Sequence, residues 1–327
     1  MRLTFSTLFN INYLAKGLAL HASLLQVCPD FHLYIFAFDE ASYLELTARN
    51  LANATIISLR EFESPELLKV KTERSVGEYC WTCTSFTIKY CLEHFKLDHC
   101  TYLDADMYFY KDPSRLVQDM GENSVLITPH NYGQGYDQSA IAGIYCVQFL
   151  TIKNTPDGNR VLDWWTRACL KWCYARYEDG KMGDQKYLDC WPYVFEGVYI
   201  CRDINAGAAP WNAGNYPSQN DIDNIIFYHF HDLQYFSDGT WFTGGYDIPL
   251  RVLDSVYRPY TRLLKAISET VEGKDCLYTK DKKSFRLLNS KYKIGSYVLD
   301  LKNAFSAFFE ALFYIKKRKF YKRNFIK

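Results

Sequence analysis

Short apolar runs alternate with helix-patterned stretches from the first residues onward, and that order admits few folds. Leu3 to Leu8 has the composition of a strand. Asn10 or Asn12 then stands where a helix N-cap belongs, ahead of Leu14, Leu18, Ala22 and Leu25 on one helical face, and the pattern stops near Cys28-Pro29. Phe31 to Phe38 is apolar at almost every position before it closes on Asp39, as expected of a strand buried on both faces. Ala41 to Asn50 has helical spacing, Ala54 to Leu59 is a further strand, and Glu78 to Phe95 is a long helix before a strand ending at Leu103. Strands are predicted again over Val125 to Thr128, Ile141 to Ile152 and Ile225 to His229, with a Trp-rich helix over Asn159 to Tyr177 and a loop-rich stretch over 178–218. The alternation predicts an α/β fold, a mostly parallel sheet flanked by helices. Ligands of such sheets collect at the carboxyl ends of the strands.

Asp104-Ala105-Asp106 falls at one such end, after the apolar run Cys100 to Leu103. Residues two apart on a strand share a side, so the two carboxylates are expected to converge, with Ala105 turned away. A divalent cation held there clamps a diphosphate and neutralises charge developing on it. An Asp pair at a strand end also serves as a solvated turn or a helix cap, and the pair alone does not decide between these uses. Cys80-x-x-Cys83 with Cys91 and His94 is a second arrangement of metal-ligand types. It lies on one predicted helix, where Cys80 and Cys91 are separated by about 16 Å at 1.5 Å per residue, too far for one tetrahedral zinc.

At 327 residues, with 48% hydrophobic and 23% charged residues, the chain has ample material for a core. Aromatics at 17% suit both core filling and carbohydrate contact. The net charge of +1 hides an asymmetry: seven Lys or Arg and no acid fall between Lys316 and Lys327, leaving −6 for the rest. Nothing in the body has the basic stripe of a nucleic-acid-binding protein, so no nucleic-acid partner is expected. Eleven scattered cysteines without a visible secretory signal predict reduced thiols and a cytoplasmic location.

Four segments together resemble the GT-A type of nucleotide-sugar glycosyltransferase, and most nearly the glycogenin and lipopolysaccharide-galactosyltransferase family (glycosyltransferase family 8). They are Asn10-Ile-Asn-Tyr13; Tyr102-Leu-Asp-Ala-Asp-Met-Tyr-Phe109; Gly183-Asp-Gln-Lys-Tyr-Leu188 with Ala209-Pro-Trp-Asn212; and Ile226-Phe-Tyr-His-Phe-His231. The resemblance covers roughly residues 1 to 235. It implies a GT-A domain over 1–250, with 251–327 a helical C-terminal region. It also implies a Mn2+ or Mg2+ ion bound by Asp104, Asp106 and His229, with His231 as an alternative ligand. Thr7, Leu8, Asn10 and Asn12 would meet the nucleotide, Arg74 and Asp104 the diphosphate, and Asn212 the sugar or acceptor. Gln185 would lie near the anomeric carbon and Asp184 on the sugar hydroxyls, although Asp184 equally fits a helix N-cap and Arg74 an ordinary surface residue. Gln is a poor nucleophile, so front-face displacement with retained configuration is expected from a UDP-sugar, with double displacement through a carboxylate left open.

Two positions depart from the family pattern. Tyr235 stands where a phosphate-gripping Lys is usual, and Tyr145-Cys146-Val147 occupies a strand that usually carries Asn. The implied acceptor is a cell-surface glycan or glycolipid. Val298, Leu301, Phe305, Phe308 and Leu312 share a face ahead of the basic end, so 297–327 is expected to meet an anionic membrane, placing the protein peripherally on its inner face. A nucleotidyltransferase or sugar-nucleotide phosphohydrolase, or a catalytically lapsed sugar-nucleotide-binding module, are the alternatives. The first of these lacks its Gly-rich phosphate loop in Ser6 to Asn10.

Overall fold

The computed structural model describes residues 2–271 and 276–277, with the backbone of 279–280 and 325–326. Seven strands form the central sheet: β1 (Leu3–Phe9), β2 (Phe31–Ala37), β3 (Ala54–Ser58), β4 (His99–Leu103), β6 (Val125–Pro129), β7 (Tyr145–Lys153) and β8 (Val198–Ile200), in the order β3-β2-β1-β4-β7-β6-β8. Four of the six neighbouring pairs are parallel, and only β7 runs against its neighbours β4 and β6. Between β4 and β6 lies β5 (Met107–Phe109), which joins β9 (Ala206–Ala208) and β10 (Phe227–His229) in a second sheet.

Both faces of the large sheet are covered, which is why β1 is buried at every position. On one face the helix Leu14–Val27 packs with Phe5, Phe31 and the helix Arg258–Ser268; on the other, Val76–His94 and Pro156–Lys171 pack with Tyr34, Ile88 and Trp165. Ser75 and Glu78 start the long helix with a reciprocal capping box. The helix Arg258–Ser268 joins the same core, with the rings of Phe230 and Tyr260 stacked at a centroid distance of 3.6 Å.

Strand order places the site. From β1 the chain moves outward to β2 and β3, then returns to lay β4 on the other side of β1. The two connections diverge, so a crevice opens at the carboxyl ends of β1 and β4, the switch point of an open α/β sheet. Gly17 lets the helix Leu14–Val27 sit tightly against this point: a Cβ there would lie 2.3 Å from the buried Phe9 ring.

Several elements differ from expectation. The strand expected from Ile141 begins at Tyr145, because Ser139–Ala142 is a helical turn and Gly143 breaks it with φ +112°. The Trp-rich helix starts earlier, at Pro156 behind the Thr155 cap, and stops at Lys171, where Trp172 is extended. Apart from the two-residue strand Phe325–Ile326, the expected membrane-contact segment 297–327 lies outside the described residues. Among the described residues no helix is long and apolar enough to cross a membrane.

Phe227 is fully buried between Phe109 and Phe149, with both ring centroids at 5.4 Å. Phe227→Ala should cost about 3–5 kcal/mol of unfolding free energy, read from the urea midpoint at unchanged slope.

Candidate active site

A cleft of about 870 Å³ opens at the carboxyl ends of β1 and β4, lined among others by Leu8, Asn10, Asn12, Asp104, Asp106, Asp184, Gln185, His229 and His231. Asn10 accepts a hydrogen bond from the Asn12 amide at 3.2 Å and starts the short turn Ile11–Tyr13. Asp39, at the end of β2, fixes the same turn by accepting from the Ile11 amide at 3.0 Å while it caps the next helix through Ser42.

The two motif carboxylates do converge, by a different route from strand alternation. Leu103 is the last residue of β4, and Asp104 to Asp106 form a turn into β5. That turn is held by the Asp104 amide on the Gln148 carbonyl (3.2 Å) and the Phe230 amide on the Asp106 carbonyl (2.9 Å). Antiparallel pairing of β5 with β10 sets His229 opposite Met107. The His229 Nε2 then lies 3.1 Å from Asp106 Oδ1 and 3.7 Å from Asp104 Oδ2. On its other edge Nδ1 meets Gln148 Oε1 at 2.8 Å, which orients the ring and leaves Nε2 to the carboxylates. His231 falls beyond the strand end, in the following turn, with its ring centroid 5.7 Å from that of His229.

Sequence reasoning missed Lys16. Its ammonium lies 3.4 Å from Asp106 Oδ2 and 4.3 Å from the centre of the Tyr13 ring, and it is 7% exposed. The visible signal was a lone charge within the apolar stretch Leu14 to Leu20. Burial alone pulls this ammonium toward its neutral form, but the Tyr13 phenol and Asp106 outweigh that and leave its pKa above the ordinary lysine value. Burial likewise opposes ionisation of Asp106, yet Lys16 and then His229 hold its carboxyl well below the usual range. Burial also works against the His229 imidazolium, and Asp106 more than offsets it. Asp104 moves the other way: burial raises its pKa, and His229 offsets this only in part.

The donor set fits a divalent ion of the transition series. The Asp104 carboxylate and the oriented His229 imidazole face one space, with Asp106 beside them on Lys16 and His229, a mixture suited to Mn2+ and less typical of Mg2+. Among the described residues, the groups close enough to share a metal are Asp104, Cys146 and His229, with ligand atoms within 4.8 Å of one another. The set Cys80, Cys83, Cys91 and His94 is not brought together.

Asp184 and Gln185 line the same cleft. Gly183 carries φ +54°, and a Cβ there would meet the Trp81 ring at 3.3 Å, so glycine serves both the turn and the close approach. Asp184 precedes a 3-10 helix (Gln185–Cys190) but makes no side-chain cap bond. It is 3% exposed, its Oδ2 has no hydrogen-bond partner, and burial, with a further push from the Asp104 carboxylate, raises its pKa to about 7.

Three expected residues do not line the cleft. Thr7 is buried within β1. Arg74 donates to Thr82 and, at 2.7 Å, to the Leu170 carbonyl, tying the helix Val76–His94 to the end of Pro156–Lys171. Asn212 is spent on backbone: its amide nitrogen donates to the His130 and Gly207 carbonyls at 2.9 Å, and its oxygen accepts from the Ala209 amide at 2.8 Å. Its neighbour Trp211 faces the cleft instead.

No protein-family model matches the chain. It is 31% identical over 240 residues to the uncharacterized protein YfnD of Bacillus subtilis (strain 168), covering 69% of this chain and 76% of YfnD. Among solved structures, the galactosyltransferase LgtC in complex with donor and acceptor sugar analogs superposes with a TM-score of 0.52 at 15% identity, covering 83% of this chain and 98% of LgtC. An active-site glutamine-to-glutamate mutant of LgtC superposes at 0.50 and 14% identity, with the same coverage.

Because the folded protein raises the Asp184 pKa, ionising it costs stability. That cost is absent below about pH 4, where the group is protonated folded or unfolded, and complete above about pH 7. Asp184→Asn should therefore stabilise the ligand-free protein by up to a few kcal/mol at about pH 8 and by little at about pH 4, as read by thermal melts at the two pH values.

Proposed function

We propose that this chain, which belongs to the family of Bacillus subtilis YfnD and has the fold of GT-A glycosyltransferases, transfers a sugar from a nucleoside-diphosphate donor. The donor is a UDP-sugar, the acceptor a hydroxyl of a cell-surface glycan or glycolipid, and the anomeric configuration is retained. What carries this reading is the gathering of Asp104, Asp106, His229, Asp184 and Gln185 around a single cleft. LgtC is solved with donor and acceptor sugar analogs, and an active-site glutamine of that protein has been mutated; Gln185 is its counterpart in this reading.

Asn10 and Asn12, at the rim beyond β1, contact the nucleoside. Asp104, Asp106 and His229 hold the divalent ion, and Lys16 provides a fixed positive charge for the diphosphate where Tyr235 replaces the expected lysine. A bound Mn2+ or Mg2+ supplies Lewis-acid neutralisation of charge on the departing diphosphate. Asp184, a buried residue of the cleft lining with one carboxylate oxygen unpartnered, accepts from donor-sugar hydroxyls. Gln185 positions the anomeric carbon without attacking it, since a carboxamide is a weak nucleophile. The acceptor oxygen bonds to that carbon on the face the diphosphate leaves, and the diphosphate oxygen takes the acceptor proton. The basic segment 316–327 would hold the enzyme near a lipid-linked acceptor at an anionic membrane.

Asp104→Asn should abolish calorimetric binding of UDP with Mn2+ while leaving the melting temperature within a few degrees of wild type. Asp106→Asn should abolish binding too but also cost about 3–5 kcal/mol, because it strips Lys16 and His229 of their shared counter-charge. Unchanged UDP affinity in Asp104→Asn would overturn the metal assignment. Gln185→Ala should leave UDP affinity intact and lower kcat about 100-fold, with NMR of the product reading the anomeric outcome.

A further inference from the structure

Strand β7 brings two side chains against His229, and only one of them is explained above. Gln148 engages Nδ1. Cys146, two residues earlier on the same strand and therefore on the same face, places its sulfur within 4.8 Å of both an imidazole nitrogen of His229 and a carboxylate oxygen of Asp104. The thiol is free, buried at 3% exposure, and on the cleft lining. Shells with bonds of about 2.0–2.3 Å keep neighbouring ligand atoms roughly 3–4 Å apart, so a small inward movement would let all three share one ion.

The surroundings keep the sulfur there. The Thr128 hydroxyl donates to the Cys146 carbonyl at 3.3 Å, and Ala209 and Trp211 pack against the residue. The Trp211 ring also stands edge-on to His229, with centroids 5.5 Å apart and planes at 90°. Imidazole, thiol and indole thus form one packed group at the metal-facing end of β7.

We propose that Cys146 is a further ligand of the metal in this cleft, and that its sulfur biases the site toward thiophilic ions such as Co2+ and Zn2+ over Mg2+. The inference rests on the metal-dependent reading given above and adds to it a soft donor beside two carboxylates and an imidazole. Thiolate ligation selects soft and borderline ions, whereas Mg2+ keeps to oxygen and water. On binding, the thiol proton passes to solvent as the sulfur–metal bond forms. A corollary is that a thiol-alkylating reagent reaching the cleft competes with the ion.

Titration of the full-length chain with Co2+ tests this directly. Wild type should develop the near-ultraviolet sulfur-to-cobalt charge-transfer band. Cys146→Ser should lose that band, still bind Co2+ by calorimetry, and do so about tenfold or more weakly, with Mn2+ affinity changed far less. In wild type itself, Co2+ should slow alkylation of Cys146 by iodoacetamide, followed by peptide mass spectrometry, which keeps the test independent of any variant's folding. Co2+ binding equal in wild type and Cys146→Ser without the band, or alkylation of Cys146 unaffected by Co2+, would overturn the sulfur ligand and leave the carboxylate–imidazole site standing. Co2+ binding unchanged by Asp104→Asn would overturn both.

Discussion

The arrangement depends on one buried carboxylate held between two cations. Asp106 faces the Lys16 ammonium on one oxygen and the His229 imidazole on the other, and all three are at most 8% exposed. Such a cluster is costly to desolvate, and its members compensate one another only while the helix Leu14–Val27, the β4–β5 turn and β10 stay docked. The charge triad therefore couples the first helix to the small second sheet, and the tight helix contact at Gly17 and the aromatic stack around Phe227 preserve that docking. Asp104 stands beside the triad with its carboxyl pushed toward the neutral form.

Asp184, which lines the same cleft, has the reverse character. Asp184 is buried with an unpartnered oxygen and a pKa raised to about 7. Hydrogen bonds from Thr84 and from the Asp184 and Gln185 amides offset that cost only in part, and no cap bond explains it. Buried polar groups without partners are uncommon in folded proteins, and stability given up at a cleft is a usual mark of a site kept for a ligand. The group around Asp106 is thus charged and internally compensated, and Asp184 is only partly satisfied. That division suits a diphosphate on the first and sugar hydroxyls on the second.

The alternation of buried strands with amphipathic helices was legible because each period is local, and it fixed the large sheet and the strand-end position of Asp104. The convergence of Asp104 with Asp106 was foreseen for an insufficient reason. A turn and the non-local pairing of β5 with β10 bring the carboxylates to His229, and a single sequence carries no trace of that register. Lys16 escaped notice because a lysine on a helix is ordinarily a surface residue, and only its apolar neighbours hinted otherwise. Arg74 and Asn212 lie near recognisable motifs, yet the structure spends both on helix and loop backbone. Composition does not distinguish a polar side chain that builds a wall from one that faces the ligand. Cys146 was noticed as a departure from the family pattern; its meaning emerged only with the His229 ring beside it.

The central claim is that this cleft binds a nucleoside diphosphate sugar together with a divalent ion. A thermal-shift panel of nucleotide sugars, each with and without Mn2+, addresses it most directly. A UDP-sugar at about 100 times its dissociation constant adds roughly 2.7 kcal/mol, a rise of about 4–5 °C for a domain of this size. The account predicts that rise for at least one UDP-sugar with Mn2+ and none without the ion. No shift for any nucleotide sugar, or an equal shift when Mn2+ is withheld, would contradict it.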